Sequence, residues 1–149
     1  MLTSKCKYGL KALLHLADNE GQGSLLIADI AAQNDIPKKF LDTILLELKN
    51  AGFLASKKGR GGGYTLAKPA SRIIIGEVIR VLDGPLAPLP CASRTAYRRC
   101  VDCRDTSTCR IRRLMLDVRD AVAEILDGTT LADLRDRTAS AEFVLLYDI

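Results

Sequence analysis

The chain has 149 residues, of which 48% are hydrophobic and 27% are charged, and this allows one modest core with an appended element. Its longest apolar runs, such as residues 25–28, are far shorter than the roughly 18 residues that span a bilayer. No apolar signal core follows the first residues. We therefore expect a cytoplasmic protein that does not associate with membranes.

The net charge of +4 lies entirely in the first half of the chain. Residues 1–69 hold ten Lys and Arg against six Asp and Glu, whereas residues 70–149 hold twelve of each sign. Contacts to backbone phosphates supply most of the non-specific affinity for a duplex, so a basic N-terminal module is suited to double-stranded DNA. Many enzymes are equally basic, and the motifs must decide between these classes.

Three helices are predicted at the start of the chain, at residues 5–19, 27–33 and 37–51. The apolar face of the first helix consists of Cys6, Leu10, Leu13, Leu14 and Ala17. In the third helix the buried stripe is predicted to consist of Leu41, Ile44, Leu45 and Leu48. The other side of this helix then presents Lys38, Lys39, Asp42, Thr43 and Leu46.

Two short strands, at residues 53–58 and 64–66, enclose the glycine-rich segment 59–63 and predict a β-wing. Two helices that meet at a turn, followed by such a wing, are typical of a winged helix-turn-helix, whose second helix enters the major groove. A nucleotide-phosphate loop is excluded because the glycines do not lead into a helix. The predicted DNA contacts are Lys38, Lys39, Asp42 and Thr43 on the helix, with Lys57, Lys58, Arg60, Gly61, Gly62 and Tyr64 on the wing.

The rest of the chain is predicted to contain helices at residues 75–82, 110–127 and 131–137. Residues 84–109 have no convincing period, and we call this segment the cysteine loop. The predicted fold class is mainly α with a small β-wing. The predicted division is a winged helix-turn-helix at 1–83, the cysteine loop as a sensor at 84–109, and a long helix with a C-terminal segment at 110–149. The apolar stripe of this helix is either core or a dimerisation interface.

Four of the five cysteines fall in the cysteine loop: Cys91, Cys100, Cys103 and Cys109. In a reducing compartment such a cluster indicates metal binding or redox chemistry. The spacing allows a zinc site, or a thiol–disulfide sensor whose reactive thiol has its pKa lowered by neighbouring arginines. Two other functions stay open, a small thiol–disulfide oxidoreductase that uses Cys100 and Cys103, and a zinc-stabilised adaptor that binds protein. The first lacks the usual βαβ setting, and the second leaves the cationic wing unexplained.

Several short stretches together resemble the Rrf family of bacterial winged helix-turn-helix transcription regulators. They are residues 2–5 with Tyr8, residues 30–31 with Ile36, residues 61–64, residues 76–79, and the pair Cys103 and Cys109. The resemblance implies a homodimer, not an enzyme, whose long helices cross and whose recognition helices bind a palindromic operator. It also implies that Lys58 corresponds to the family's minor-groove arginine and that Lys38, Lys39 and Asp42 fall in its base-reading segment.

The resemblance also implies a sensor. Cluster-binding members of the family hold a 2Fe-2S or 4Fe-4S cluster through three loop cysteines and a variable fourth ligand. Cys91, Cys103 and Cys109 match the three, although the separation between Cys91 and Cys103 is longer here. Arg112 stands where some members have a histidine ligand. Cys100 is the candidate replacement, because four thiolates are the commonest iron–sulfur ligation. Cys6 of the partner subunit is an alternative, but Cys6 lies on an apolar face and is expected to be a small buried hydrophobe.

We therefore predict a dimeric DNA-binding regulator whose operator affinity depends on the loop from Cys91 to Cys109. An iron–sulfur cluster on Cys91, Cys100, Cys103 and Cys109, or the redox state of these thiols, is expected to exert the control. Zinc or no cofactor remains the alternative.

Overall fold

The computed structural model describes residues 2–137. Its helices are α1 (Ser4–Asp18), α2 (Ile27–Asn34), α3 (Lys38–Asn50), α4 (Ile75–Asp83), α5 (Arg110–Asp127) and α6 (Leu131–Asp136). Strands β1 (Leu54–Lys57) and β2 (Gly63–Leu66) pair antiparallel, and 3₁₀ turns lie at Ala70–Arg72 and Pro90–Ala92. The predicted fold class is confirmed, and the predicted helices and strands agree with these bounds to within one residue at each end. Residues 138–149 of the predicted C-terminal segment lie outside the described residues.

The core is built around α1 and α3. On α3 the buried residues are the predicted stripe of Leu41, Ile44, Leu45 and Leu48. On α1 the buried face is wider than predicted, because this helix packs against α2, α3, α4 and α6. It consists of Cys6, Gly9, Ala12, Leu13, Leu16 and Ala17, while Leu10 and Leu14 of the predicted face are only half-buried. A Cβ at Gly9 would lie 2.4 Å from Cδ1 of Leu82, so a glycine allows α4 to approach α1.

The wing is attached to the segment between α1 and α2. The backbone N–H of Tyr64 donates to the carbonyl of Leu25 at 2.8 Å, and the N–H of Leu25 donates to the carbonyl of Tyr64 at 2.9 Å. Gly63 has a φ of +144°, and a Cβ there would lie 2.2 Å from the carbonyl oxygen of Leu25. A glycine is therefore required for this close approach of two backbones. The attachment fixes where the wing stands beside the helices.

Helix α5 lies largely outside the core. Of its 18 residues only Ala123 is buried. Arg80 of α4 holds the end of α5 through two hydrogen bonds to Asp127, at 2.6 and 2.8 Å. By contrast, α6 begins with the fully buried Leu131 and packs on α1. The predicted third segment thus contains one helix outside the core and one within it, and the division at residues 84 and 110 stays a prediction. Within residues 2–137 no helix is long and apolar enough to cross a membrane.

Candidate nucleic-acid interface and cysteine site

The exposed face of α3 is the first part of the candidate nucleic-acid interface. Asp35 adopts a left-handed conformation, with φ of +53°, and ends α2, so α3 begins three residues later. All four side chains predicted to contact DNA from this helix, Lys38, Lys39, Asp42 and Thr43, are exposed. Phe40 on the same helix is 63% exposed and was absent from the predicted set. Its position off the buried stripe, next to Lys39, is the signal that would have identified it.

The wing supplies the second part, and its predicted residues fall into two groups. Lys57, Lys58, Arg60 and Gly61 are exposed. Gly62 is buried, because a Cβ there would lie 2.4 Å from the carbonyl oxygen of Lys57. Tyr64 is half-buried and packs against the core. The three cations of the first group present positive charge to solvent, whereas Gly62 and Tyr64 shape and anchor the wing.

The four loop cysteines line one cavity of about 620 Å³. Cys91 lies in the 3₁₀ turn and is only 4% exposed, while Cys100, Cys103 and Cys109 are half-buried. The Sγ atoms of Cys91 and Cys100 are 3.8 Å apart and form a hydrogen bond. The structure therefore brings all four predicted ligands to one cavity, and it places two of them in contact.

Arginine side chains hold the cysteine backbone in place. Arg112 of α5 donates from Nε to the carbonyl of Cys91 at 2.9 Å, and its guanidinium lies 5.8 Å from the ring centre of Tyr97. Arg99 donates to the carbonyl of Cys103 at 2.6 Å. Cys109 caps α5, because its Sγ accepts the backbone N–H of Arg112 at 3.4 Å. Arg112 thus fastens the cysteine loop to α5.

The expected lowering of a thiol pKa by arginines is wrong for Cys100. The hydrogen bond with Cys91 raises the pKa of Cys100 above its ordinary value, and burial adds to this effect. Two of the nearby arginines are engaged elsewhere, since Arg94 binds Asp120 at 2.8 Å and Arg99 binds backbone carbonyls. Arg94, followed by Arg119, lowers the pKa of Asp120 through these hydrogen bonds.

Cys6 is separated from this site. Its side chain is 0% exposed in the core, as expected for a small buried hydrophobe. Burial, together with the nearby Asp83, raises the pKa of Cys6 to about 12. Because the thiolate is the form that binds metals, this environment makes Cys6 a poor ligand.

The donors fit a thiolate-ligated metal in their chemistry. In a tetrahedral site with metal–sulfur bonds of about 2.3 Å, two sulfur ligands are about 3.8 Å apart. The Sγ atoms of Cys91 and Cys100 have this separation. No group of three or more His, Cys, Asp or Glu side chains within residues 2–137 is already close enough to hold a metal ion. A bound metal or cluster would thus require Cys103 and Cys109 to move toward the first pair.

A short helix, a turn, an amphipathic helix with an exposed polar face and a two-stranded cationic wing define the winged helix-turn-helix class of DNA-binding proteins. The sequence profile described as "Rrf2: Iron-dependent Transcriptional regulator" matches residues 2–137. The chain therefore belongs to the Rrf2 family, and the resemblance inferred from the sequence is confirmed.

Individual relatives agree with this assignment. An rrf2-like HTH-type transcriptional regulator of Rhodobacter capsulatus is 47% identical over 137 residues, which cover 90% of this chain and 91% of the relative. The structure of CymR, the global cysteine regulator of B. subtilis, superimposes with a TM-score of 0.77 at 33% identity, over 93% of this chain and 98% of that one. For T. potens IscR the TM-score is 0.70 at 26% identity, over 97% and 96% of the two chains. The chain is a transcriptional regulator and not an enzyme.

Proposed function

We propose that this protein is a homodimeric transcription regulator of the cytoplasm that binds a palindromic operator, and that the state of Cys91, Cys100, Cys103 and Cys109 sets its operator affinity. The observation that carries the proposal is the division of α3 into a fully buried stripe and an exposed polar face beside a cationic wing. A helix whose buried stripe packs against the core in this way is rigid enough to enter a major groove.

In the proposed complex, α3 contacts base edges. Lys38 and Lys39 bind phosphates or guanine, Asp42 accepts a hydrogen bond from cytosine, and Thr43 contacts either type of base pair. The exposed ring of Phe40 is suited to the methyl group of thymine.

The wing binds the flanking DNA. Lys57, Lys58 and Arg60 neutralise phosphates or enter a narrow minor groove, and Gly61 allows a close backbone approach. We assign Gly62 and Tyr64 an indirect part in binding, through the shape and the attachment of the wing.

The dimer forms through α5. Large apolar side chains on one stripe of this helix are exposed in the single chain: Ile111 at 64%, Leu114 at 58%, Val118 at 39% and Ile125 at 63%. They are spaced three, four and seven residues apart, which is the heptad spacing of paired helices. A contiguous apolar stripe of this kind indicates a partner surface. A two-fold dimer presents two recognition helices, which is why a palindromic operator is expected.

For the cofactor we propose an iron–sulfur cluster, 2Fe-2S or 4Fe-4S, with zinc or no metal as the alternative. When bound, the cluster would supply one-electron redox chemistry and sensitivity to oxidants, with the four loop cysteines as ligands. The protein's own role is to transmit a change in the loop to α5, because Cys109 caps α5 and Arg112 joins α5 to Cys91. A change in the loop alters operator affinity only if it favours one arrangement of the two recognition helices.

The DNA-binding proposal is tested by selection of bound duplexes from a random pool, followed by titrations at several salt concentrations. We expect a palindromic consensus. Arg60→Ala should weaken binding to all DNA sequences by a similar factor, since one phosphate contact is lost. The slope of the logarithm of the binding constant against the logarithm of the salt concentration should fall by about one unit. Arg72→Ala, at an exposed arginine outside the wing, is the control and should leave the slope unchanged. Binding without sequence preference, or equal slopes for both variants, would contradict the proposal.

The dimer is tested by sedimentation equilibrium. Leu114→Glu should shift the protein to monomer without unfolding it, since this side chain is exposed in the single chain. Arg110→Glu, at an exposed position of the same helix, is the matched control.

The cofactor is tested by anaerobic purification with an absorption spectrum and paired iron, sulfide and zinc analysis. Thiolate-to-iron bands with matching iron and sulfide would support the cluster. Zinc alone, or neither metal, would exclude it and leave the DNA-binding proposal intact.

A further inference from the structure

The two thiols in contact are not the pair that the sequence motif indicates. Cys100 and Cys103 form the Cys-x2-Cys motif, yet the Sγ of Cys100 contacts Cys91, nine residues earlier, at 3.8 Å. Within residues 2–137 this is the one hydrogen-bonded pair of thiols. A disulfide bond is about 2.05 Å long, so about 1.8 Å of approach would join these sulfur atoms.

We propose that Cys91 and Cys100 form an intramolecular disulfide when the metal-free protein meets a low-molecular-weight disulfide. Cys100 is the attacking thiol and Cys91 the resolving thiol. The regulatory meaning of this bond rests on the proposed function, whereas the bond itself depends only on the geometry of the cysteine loop.

The reaction consists of two thiol–disulfide exchanges. The thiolate of Cys100 attacks one sulfur of RSSR, forms a mixed disulfide and expels RS⁻. The thiolate of Cys91 then attacks the Sγ of Cys100, forms the protein disulfide and expels the second RS⁻. Both thiol protons pass to solvent and protonate the two leaving thiolates. The protein loses two electrons and RSSR gains two, so one RSSR yields one protein disulfide and two RSH.

The order of the two steps follows from burial. Cys100 is half-buried and lines the cavity of about 620 Å³, so a small disulfide can reach it. Cys91 lines the same cavity but is only 4% exposed, so such a reagent meets Cys100 first. Arg104 and Arg112 line this cavity together with Asp102 and Asp105, so its lining has no net charge that would select a charged reagent. Oxidised glutathione is a small, flexible disulfide and is the probe that we choose.

The disulfide would act directly on α5. The carbonyl of Cys91 accepts the hydrogen bond from Arg112 in the first turn of that helix, at 2.9 Å. A shift of Cys91 toward Cys100 therefore pulls on, or breaks, the contact that joins the cysteine loop to α5.

The experiment uses the full-length chain, freed of metal with a chelator and checked by iron, sulfide and zinc analysis. The protein is incubated with oxidised glutathione, its free thiols are alkylated, and it is digested with trypsin for mass spectrometry. Trypsin places Cys91 in peptide 81–94, Cys100 and Cys103 together in peptide 100–104, and Cys109 in peptide 105–110. Since peptide 100–104 holds two cysteines, the variants Cys100→Ser and Cys103→Ser identify the one that is bonded.

We expect peptide 81–94 linked to peptide 100–104 in the wild type and in Cys103→Ser, and no such link in Cys100→Ser. Cys91→Ser should leave glutathione on Cys100, because the resolving thiol is missing. An internal bond in peptide 100–104, a link to peptide 105–110, or glutathione on wild-type Cys100 without resolution would overturn the proposal. No DNA is present in this experiment, so its failure would not contradict the proposal that the protein is a DNA-binding regulator. Conversely, a failure to bind DNA in the separate titrations would not contradict the proposed disulfide.

Discussion

The winged-helix module, residues 4–83, and the cysteine loop, residues 84–109, are held together in different ways. The module is stabilised by a continuous core in which Leu13, Ile44 and Leu45 are fully or nearly fully buried. The cysteine loop buries few side chains, and arginines fasten it through backbone carbonyls and carboxylates, as Arg112 does with Cys91 and Arg94 with Asp120. Burial holds the proposed recognition helix rigid, whereas a few polar contacts, exposed or only partly buried, hold the loop, so the loop is expected to open more readily than the module.

The largest effect is expected for a cavity in the module. Leu45→Ala should destabilise the protein by about 2–5 kcal/mol, because the deleted atoms leave a cavity in a closely packed core. Leu46→Ala is the matched control, since the adjacent leucine is 50% exposed and its loss should cost less than about 0.5 kcal/mol. Urea unfolding followed by circular dichroism measures both. Equal losses for the two variants would show that the burial pattern of α3 is not as described.

The same contrast explains how much the sequence could predict. The 3.6-residue period of Leu41, Ile44, Leu45 and Leu48 reports the direction of the core, and it correctly separated the buried stripe of α3 from its exposed face. The wing was predicted from its glycines, but a run of three glycines at positions 61–63 does not reveal which of them is buried. Gly62 is enclosed by the carbonyl of Lys57, a contact that depends on the turn formed by the folded hairpin.

The cysteine loop has no period, so its internal contacts could not be predicted. The motif of Cys100 and Cys103 favoured that pair, whereas the folded loop places Cys91 against Cys100. Two long-range contacts join the loop to α5. Arg112 holds the carbonyl of Cys91 from a helix that begins 19 residues later, and Arg94 binds Asp120. The sequence thus predicted the four cysteines as one cluster, and they do line one cavity, but it did not predict which of them are in contact.

A second prediction concerns the attachment of the wing. Gly63→Ala should cost about 2 kcal/mol or more, because the new Cβ would lie 2.2 Å from the carbonyl of Leu25 and φ is +144°. Gly61→Ala is the control, since its φ is +73° but no atom lies within 4 Å of the new Cβ, and only about 1 kcal/mol is expected. Urea unfolding gives the two values. Hydrogen exchange at Leu25 and Tyr64 should rise in the first variant alone, and unchanged exchange there would contradict the proposed attachment.

The next effect tests the link between the cysteine loop and α5. Arg112→Ala removes the hydrogen bond to Cys91 and should cost about 1.5 kcal/mol, the usual contribution of a charged donor to a partly buried acceptor. Arg110→Ala, at an exposed position two residues earlier, should change stability by less than about 0.5 kcal/mol. Hydrogen exchange in residues 89–94 is expected to accelerate only when Arg112 is replaced. Equal acceleration in both variants would indicate that the loop is held by other contacts.

The smallest effect is expected at the ion pair of Arg94 and Asp120, because both side chains are about half exposed and solvent screens their attraction. Arg94 lowers the pKa of Asp120, so the folded state favours the carboxylate. The stabilisation is therefore complete above the unfolded pKa of about 3.9 and is lost as the pH falls through the lower folded value.

Asp120→Asn should consequently shift the urea midpoint slightly at pH 7 and pH 5, and the difference from the wild type should shrink below pH 4. High salt at pH 7 should also reduce it, because salt screens exposed pairs. Asp117→Asn, at an exposed aspartate of the same helix with no ion pair among the described residues, is the control. A difference that persists at low pH would mean that Asp120 stabilises the loop through its shape and not its charge. The loop would then be held by packing, as the module is, and the two regions would differ less in the interactions that stabilise them.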